Sequence, residues 1–139
     1  MGTWDAGPFD NDTAADWCGH LRDTEAAKRP DLLRGAVNDV VENTDDYLDS
    51  YYAERVVAAA AVMASQLPGG EPINSAYASG DLASEIPGDL PALALRALDR
   101  ITGDESEWRE LWEETDSYPA VLAGLDAIRV PLTRAANGA

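Results

Sequence analysis

The chain has one cysteine, one histidine and one lysine in 139 residues. A lone Cys18 excludes an intrachain disulfide and fits a reducing compartment. With His20 as its sole companion it cannot supply a closed transition-metal site, so no metal or other cofactor is expected. The two are also two positions apart, and on a helix they point about 200° away from each other, which rules out a nucleophile–base dyad between them. No apolar run reaches the roughly 18 residues that a membrane span needs. The N-terminus lacks a basic stretch followed by an apolar one, so a secretory signal is not expected. Nor does a glycine-rich phosphate loop open any helix: "PGGEP" has no following Lys-Ser or Lys-Thr.

Basic residues are scarce as a class. Nine Arg and Lys28 stand against 26 acids, for a net charge of −16. Phosphate contacts supply most nucleic-acid affinity and need clustered Arg and Lys, so nucleic-acid binding is excluded. An anionic membrane surface is repelled for the same reason. What such a charge favours is solubility and attraction to a basic protein partner. Few lysines beside many alanines fit a GC-rich bacterial genome, and the expected location is the cytoplasm. A hydrophobic content of 45% argues for a folded chain, and 139 residues fit a single domain spanning 1–139.

The hydrophobic spacing predicts an all-α fold of about five or six helices. Ala14, Trp17, Cys18 and Leu21 form the first stripe. Pro30 suits the first turn of a second helix carrying Leu33, Ala36, Val37, Val40 and Val41. A third runs from about Asp46 to Leu67, with Leu48, Tyr52, Val56, Ala59, Ala60 and Met63 inward and caps offered by Thr44, Asp45 and Asp46. From Val56 to Ala64 it is apolar all round, which marks a central, buried helix. A long loop over 68–90 follows, with four prolines and four glycines in the 25 residues from Leu67 to Pro91. A fourth helix starts near Pro91 and stops at Gly103. In the fifth, "DESEWRELWEE", Trp108, Leu111 and Trp112 are expected inward, with Glu105–Arg109 and Arg109–Glu113 pairs outward. The sixth begins near Tyr118 and is expected to end or kink at Pro131, leaving a frayed tail over 133–139.

The opening "MGTWDAGPFDNDTAADW" concentrates two Trp, one Phe and four Asp in 17 residues. Residues 1–11 read as an aromatic loop that turns at Gly7-Pro8 and lays Trp4 and Phe9 over Trp17. Asp10, Asn11, Asp12 and Thr13 are all able to cap the first helix, and Thr13 to Asp16 matches a capping-box spacing. The functional alternative makes Asp5, Asp12 and Asp16 a ring for a basic group or small cation. A calcium loop fails, because its sixth position, counted from Asp10, is Ala15 rather than Gly. Asp16 and His20 share a face, but a pair of ligands is not a metal site. Glu54 and Arg55 precede the apolar half of the central helix and need partners wherever they are buried.

The segments "GTWDAGPFDNDTAADW" and "ALALRALDRITGDESEWRELWEE" resemble the bacterial domain of unknown function 4259 family, and the likeness extends over nearly the whole chain. It implies a compact bacterial domain and no mechanism, since no activity is established for that family. It also implies a Glu in the central helix about where this chain has Ala61. Two readings of function follow. One is a non-enzymatic interaction domain, immunity- or antitoxin-like, whose acidic face binds a basic partner. The other is a small-ligand binder or hydrolase built on the N-terminal carboxylates and a Glu54/Arg55 pair. The candidate binding residues are Trp4, Asp5, Asp12, Asp16, Glu54 and Arg55, with no catalytic residue assigned.

Overall fold

In the computed structural model, residues 7–9, 11–73 and 80–138 are described. They form six α-helices: α1 Asp12–Asp23, α2 Arg29–Val41, α3 Ser50–Gln66, α4 Leu90–Thr102, α5 Glu107–Glu113 and α6 Tyr118–Ala136. A 3-10 turn, Ala26–Lys28, joins α1 to α2. The fold is all-helical, and among the described residues the nearest thing to a sheet is one isolated parallel bridge between Leu48 and Ser106. The accessible surface is 7217 Å², close to the roughly 7,000 Å² expected of a folded monomer of this mass.

Helix α3 is the axis, touching each of the other five. Its residues from Val56 to Ala64 are all buried. The alanines at 58–61 explain how: with no side chain beyond Cβ, they let neighbouring helices approach on every side. Trp17 of α1 and Met63 of α3 belong to one core, as do Phe9, Leu33 and Val37 of α2, Leu98 and Ile101 of α4, and Leu132 of α6. The periodic stripe of α1 is wholly buried. Burial of Cys18 there pushes its thiol up to about 12, so it behaves as a small core residue.

Several boundaries differ from the sequence reading. Helix α3 starts at Ser50 rather than Asp46, because Leu48 is extended and exchanges backbone bonds with the segment before α5. Its N–H donates to the Glu105 carbonyl at 2.9 Å, and its carbonyl accepts from Glu107 N–H at 3.0 Å. The cap of α3 is therefore Asp49, whose carboxylate accepts from Tyr51 N–H at 2.8 Å. Glu105 lies outside α5 in a left-handed conformation, φ 55°, so Arg109 pairs with Asp104 at 3.5 Å and with Glu113 at 3.4 Å. Leu111 is 43% exposed, against the inward position expected. Helix α6 does not end at Pro131 but runs on to Ala136, so the helix includes residues expected to fray. Between Gln66 and Leu90, the Gln66 amide holds the chain by donating to Leu82 O and accepting from Ser84 N–H. That places Leu82 in the core.

Gly124 sits inside α6, and a Cβ built on it meets no atom within 4 Å. A glycine in a helix interior loses about 0.5–1 kcal/mol to alanine. Gly124→Ala is therefore expected to raise folding stability by about 0.5–1 kcal/mol, seen as a higher urea midpoint, and a lowered midpoint would contradict the open space assigned there.

Candidate functional site

Three helix N-termini meet at one junction. Asn11 caps α1, its side-chain oxygen accepting from Ala14 N–H at 2.7 Å. Asp49 caps α3, and Ser106 caps α5 by accepting from Arg109 N–H at 3.3 Å. The Leu48–Ser106 bridge joins the last two. So does Glu107, whose carboxylate accepts from Ser50 N–H at 2.9 Å. Orphan N–H groups at these ends and the positive pole of each helix favour carboxylates. This accounts for the bonded acids Asp49 and Glu107.

Glu54 is not accounted for in that way. It lies one turn into α3, half-buried, with a hydrogen bond from Thr13 of α1. Burial pushes its carboxyl above the ordinary value of 4.5, outweighing the Thr13 bond, and repulsion from Asp12, Asp49 and Glu107 adds to the rise. Glu54 also lines a cleft of about 20 Å³, walled by Val57, Trp108, Trp112 and Leu125, with Asn11 at its edge. That is room for one water molecule. A larger cleft of about 330 Å³ shares Gly7, Pro8, Gly124 and Ile128 with it and continues along the seam of α3 and α6. Ala61, where the resemblance implied a Glu, lines that second cleft and is nearly buried.

The structure separates several of the residues grouped by sequence. Arg55 is adjacent to Glu54 but points elsewhere: successive helical positions lie about 100° apart. Its guanidinium bonds Asp39 of α2 at 2.9 Å and lies 5.4 Å from the centroid of the Tyr51 ring. The Glu54/Arg55 pair therefore does not form, and neither residue takes its partner from Asp16. Asp12 stands close enough to Glu54 to repel it. Asp12 and Asp16 are both exposed. The expected capping box at Thr13–Asp16 does not form at the helix start, because the cap is Asn11, and Thr13 turns its hydroxyl to Glu54 instead. Trp4 and Asp5, with Asp10, lie outside the described residues. Among the described residues, no three His, Cys, Asp or Glu side chains converge to hold a metal ion, and no helix is long and apolar enough to cross a membrane.

Sequence reasoning missed two contributors. Tyr47 is 46% exposed, and its phenol is pushed up to about 12, first by its hydrogen bond to Glu110 and then by burial and the charges of Glu110, Glu107 and Glu105. The role of Glu107 across two helices had no signal, since 57 positions separate it from Ser50.

The raised carboxyl of Glu54 sets the sign of a pH effect. Between its unfolded and folded values the native state keeps a proton that the unfolded state has lost. Stability attributable to Glu54 is therefore present below about 4.5 and falls as pH rises through the window above it. Glu54→Gln is expected to flatten that decline and leave the protein more stable than the parent at neutral pH. Urea midpoints from acid to neutral pH check this, and parallel curves for the two proteins would contradict it.

No curated protein and no solved structure shows significant similarity to the chain. The profile of the Domain of unknown function (DUF4259) matches residues 2–123, which include α1 to α5 and the whole acidic junction, so the chain belongs to the DUF4259 family.

Proposed function

We propose that this protein is a non-enzymatic interaction domain of the bacterial cytoplasm that binds a basic protein partner, in the manner of an immunity protein or antitoxin. The observation that carries the reading is the junction at Glu54. The charged groups acting on it are Asp12, Asp49 and Glu107, all acids. A half-buried carboxylate facing further carboxylates is a cost to the fold, and a cationic group brought by a partner removes that cost. The net charge of −16 extends the same attraction over the whole surface and speeds encounter with a positively charged protein. The alternative, a small-ligand binder or hydrolase built on the N-terminal carboxylates and a Glu54/Arg55 pair, gains no support from Glu54 and Arg55, which point apart, or from the one-water cleft beside Glu54.

The test is capture of native partners on immobilised protein, followed by association kinetics of each captured protein at several salt concentrations. A stoichiometric partner of net positive charge, with an association rate that falls steeply as salt rises, is the expected result. A partner that associates independently of salt, or turnover of a small molecule by the purified protein, would overturn the reading.

A further inference from the structure

We propose that the outer face of α5, together with Tyr47, is the docking surface for an arginine-rich segment of the partner that also carries an apolar anchor. The inference rests on the reading above and adds where the partner sits and what it must present.

Helix α5 has two faces. Trp108 and Trp112, four apart, turn inward; Trp108 is buried and Trp112 packs half-buried against the core. Glu107, Glu110, Leu111 and Glu114 fall at i, i+3, i+4 and i+7 and form the opposite stripe. Glu110, Leu111 and Glu114 are exposed. Leu111 leaves a large apolar side chain in water between carboxylates, and Tyr47 lies against the same stripe through its bond to Glu110.

The neighbouring bases are engaged away from this face. Arg109 reaches Asp104 and Glu113. Arg100 donates to the carbonyls of Asp104 and Glu105. Arg55 holds Asp39.

The chemistry selects the occupant. A planar guanidinium forks onto a carboxylate and stacks on a tyrosine ring, where an ammonium does neither as well. Leu111 asks for an apolar side chain beside those arginines, since tyrosine and buried apolar anchors dominate interface energy. A second copy of this chain would bring acids against acids, and a nucleic acid or an anionic membrane is repelled as well.

The test uses nitrogen-15 labelled protein titrated with a short amphipathic peptide of arginine and leucine, read by amide chemical shifts. Shifts are expected to centre on Tyr47 and on Glu107 to Leu111. Leu111→Asp is expected to weaken binding roughly tenfold although it adds an attractive charge, which isolates the apolar contact. Glu110→Gln weakens binding as well. Val130→Asp serves as control, because Val130 is an equally exposed apolar residue on α6 and its replacement leaves the affinity unchanged. Shifts centred on another discrete patch would overturn this face and leave the basic-partner reading standing. Weak shifts spread over all carboxylates and abolished by moderate salt would overturn both.

Discussion

Replacing Arg29 by Met is expected to lower folding stability by about 3–5 kcal/mol, because several carbonyls are left without a donor at about 1–3 kcal/mol each. Among the described residues Arg29 is the one buried charged residue, 5% exposed. Its Nε donates to the carbonyls of Leu21 and Thr24, both at 3.0 Å. Nη1 donates to Ala83 O at 2.8 Å and Nη2 to Arg22 O at 3.0 Å. Asp81 stands 3.6 Å from Nη1 at the exposed rim. One guanidinium thus closes the end of α1, where the Thr24 N–H serves only Leu21 O among the last carbonyls. It also ties that end to the connection leading into α4. Methionine keeps most of the volume but takes the guanidinium from the carbonyls of Arg22, Thr24 and Ala83, while Leu21 O keeps the Thr24 N–H, so the loss comes from carbonyls left without a donor rather than from a cavity. Arg29→Lys restores a charge but not the fork, and is expected to recover only part of the loss. Urea midpoints measure both, and a loss below about 1 kcal/mol for Arg29→Met would show that water replaces the guanidinium without cost.

Trp108→Ala is the second large effect, also about 3–5 kcal/mol for a buried tryptophan. Trp108 is 5% exposed. It meets Trp112 edge to face at 6.5 Å and Tyr118 at 6.3 Å. Helix α5 has seven residues, too few to stand alone in water, so its docking depends on this side chain. The loss is therefore expected to be local before it is global. Amides of α5 exchange first, and Tyr47 loses the Glu110 bond that raises its phenol. Trp112→Ala, at a half-buried position, costs less. Hydrogen exchange that rises uniformly over all six helices would contradict this order.

The helices with strong periodicity were legible in the sequence. Ala14, Trp17, Cys18 and Leu21 are buried as their spacing implies, and so is the run from Val56 to Ala64. Period 3.6 reports which side of a helix is inside; it does not report which polar residue ends it. Four residues around the start of α1 were equally able to cap, and Asn11 does so. Leu48 had a place on the stripe of α3, but backbone pairing with Glu105 and Glu107 takes it out of the helix, a contact invisible to local pattern. Arg29 was one arginine among nine, because burial of a cation by four carbonyls depends on how a turn folds back. Glu54 and Arg55 were grouped by adjacency, and helical geometry sends them to different neighbours. Pro131 was expected to end or kink α6, and the helix does not end there but continues to Ala136.

The central claim is that the junction holds more negative charge than the fold uses. Asp49 and Glu107 make capping bonds, whereas Glu54 is half-buried, holds one bond from Thr13 and faces the charges of Asp12, Asp49 and Glu107. The most direct measurement is the urea midpoint, at neutral pH and low salt, of the Asp12→Asn, Glu54→Gln double variant. Removing Asp12 from the first turn of α1 forfeits about 0.3–1 kcal/mol of helix-dipole stabilisation, and relief of the half-buried Glu54 charge offsets it. The account predicts a midpoint equal to or above that of the parent, with the difference shrinking as salt is added. A double variant less stable than the parent by more than about 1 kcal/mol, beyond what the dipole accounts for, would make these carboxylates part of the fold and contradict the claim.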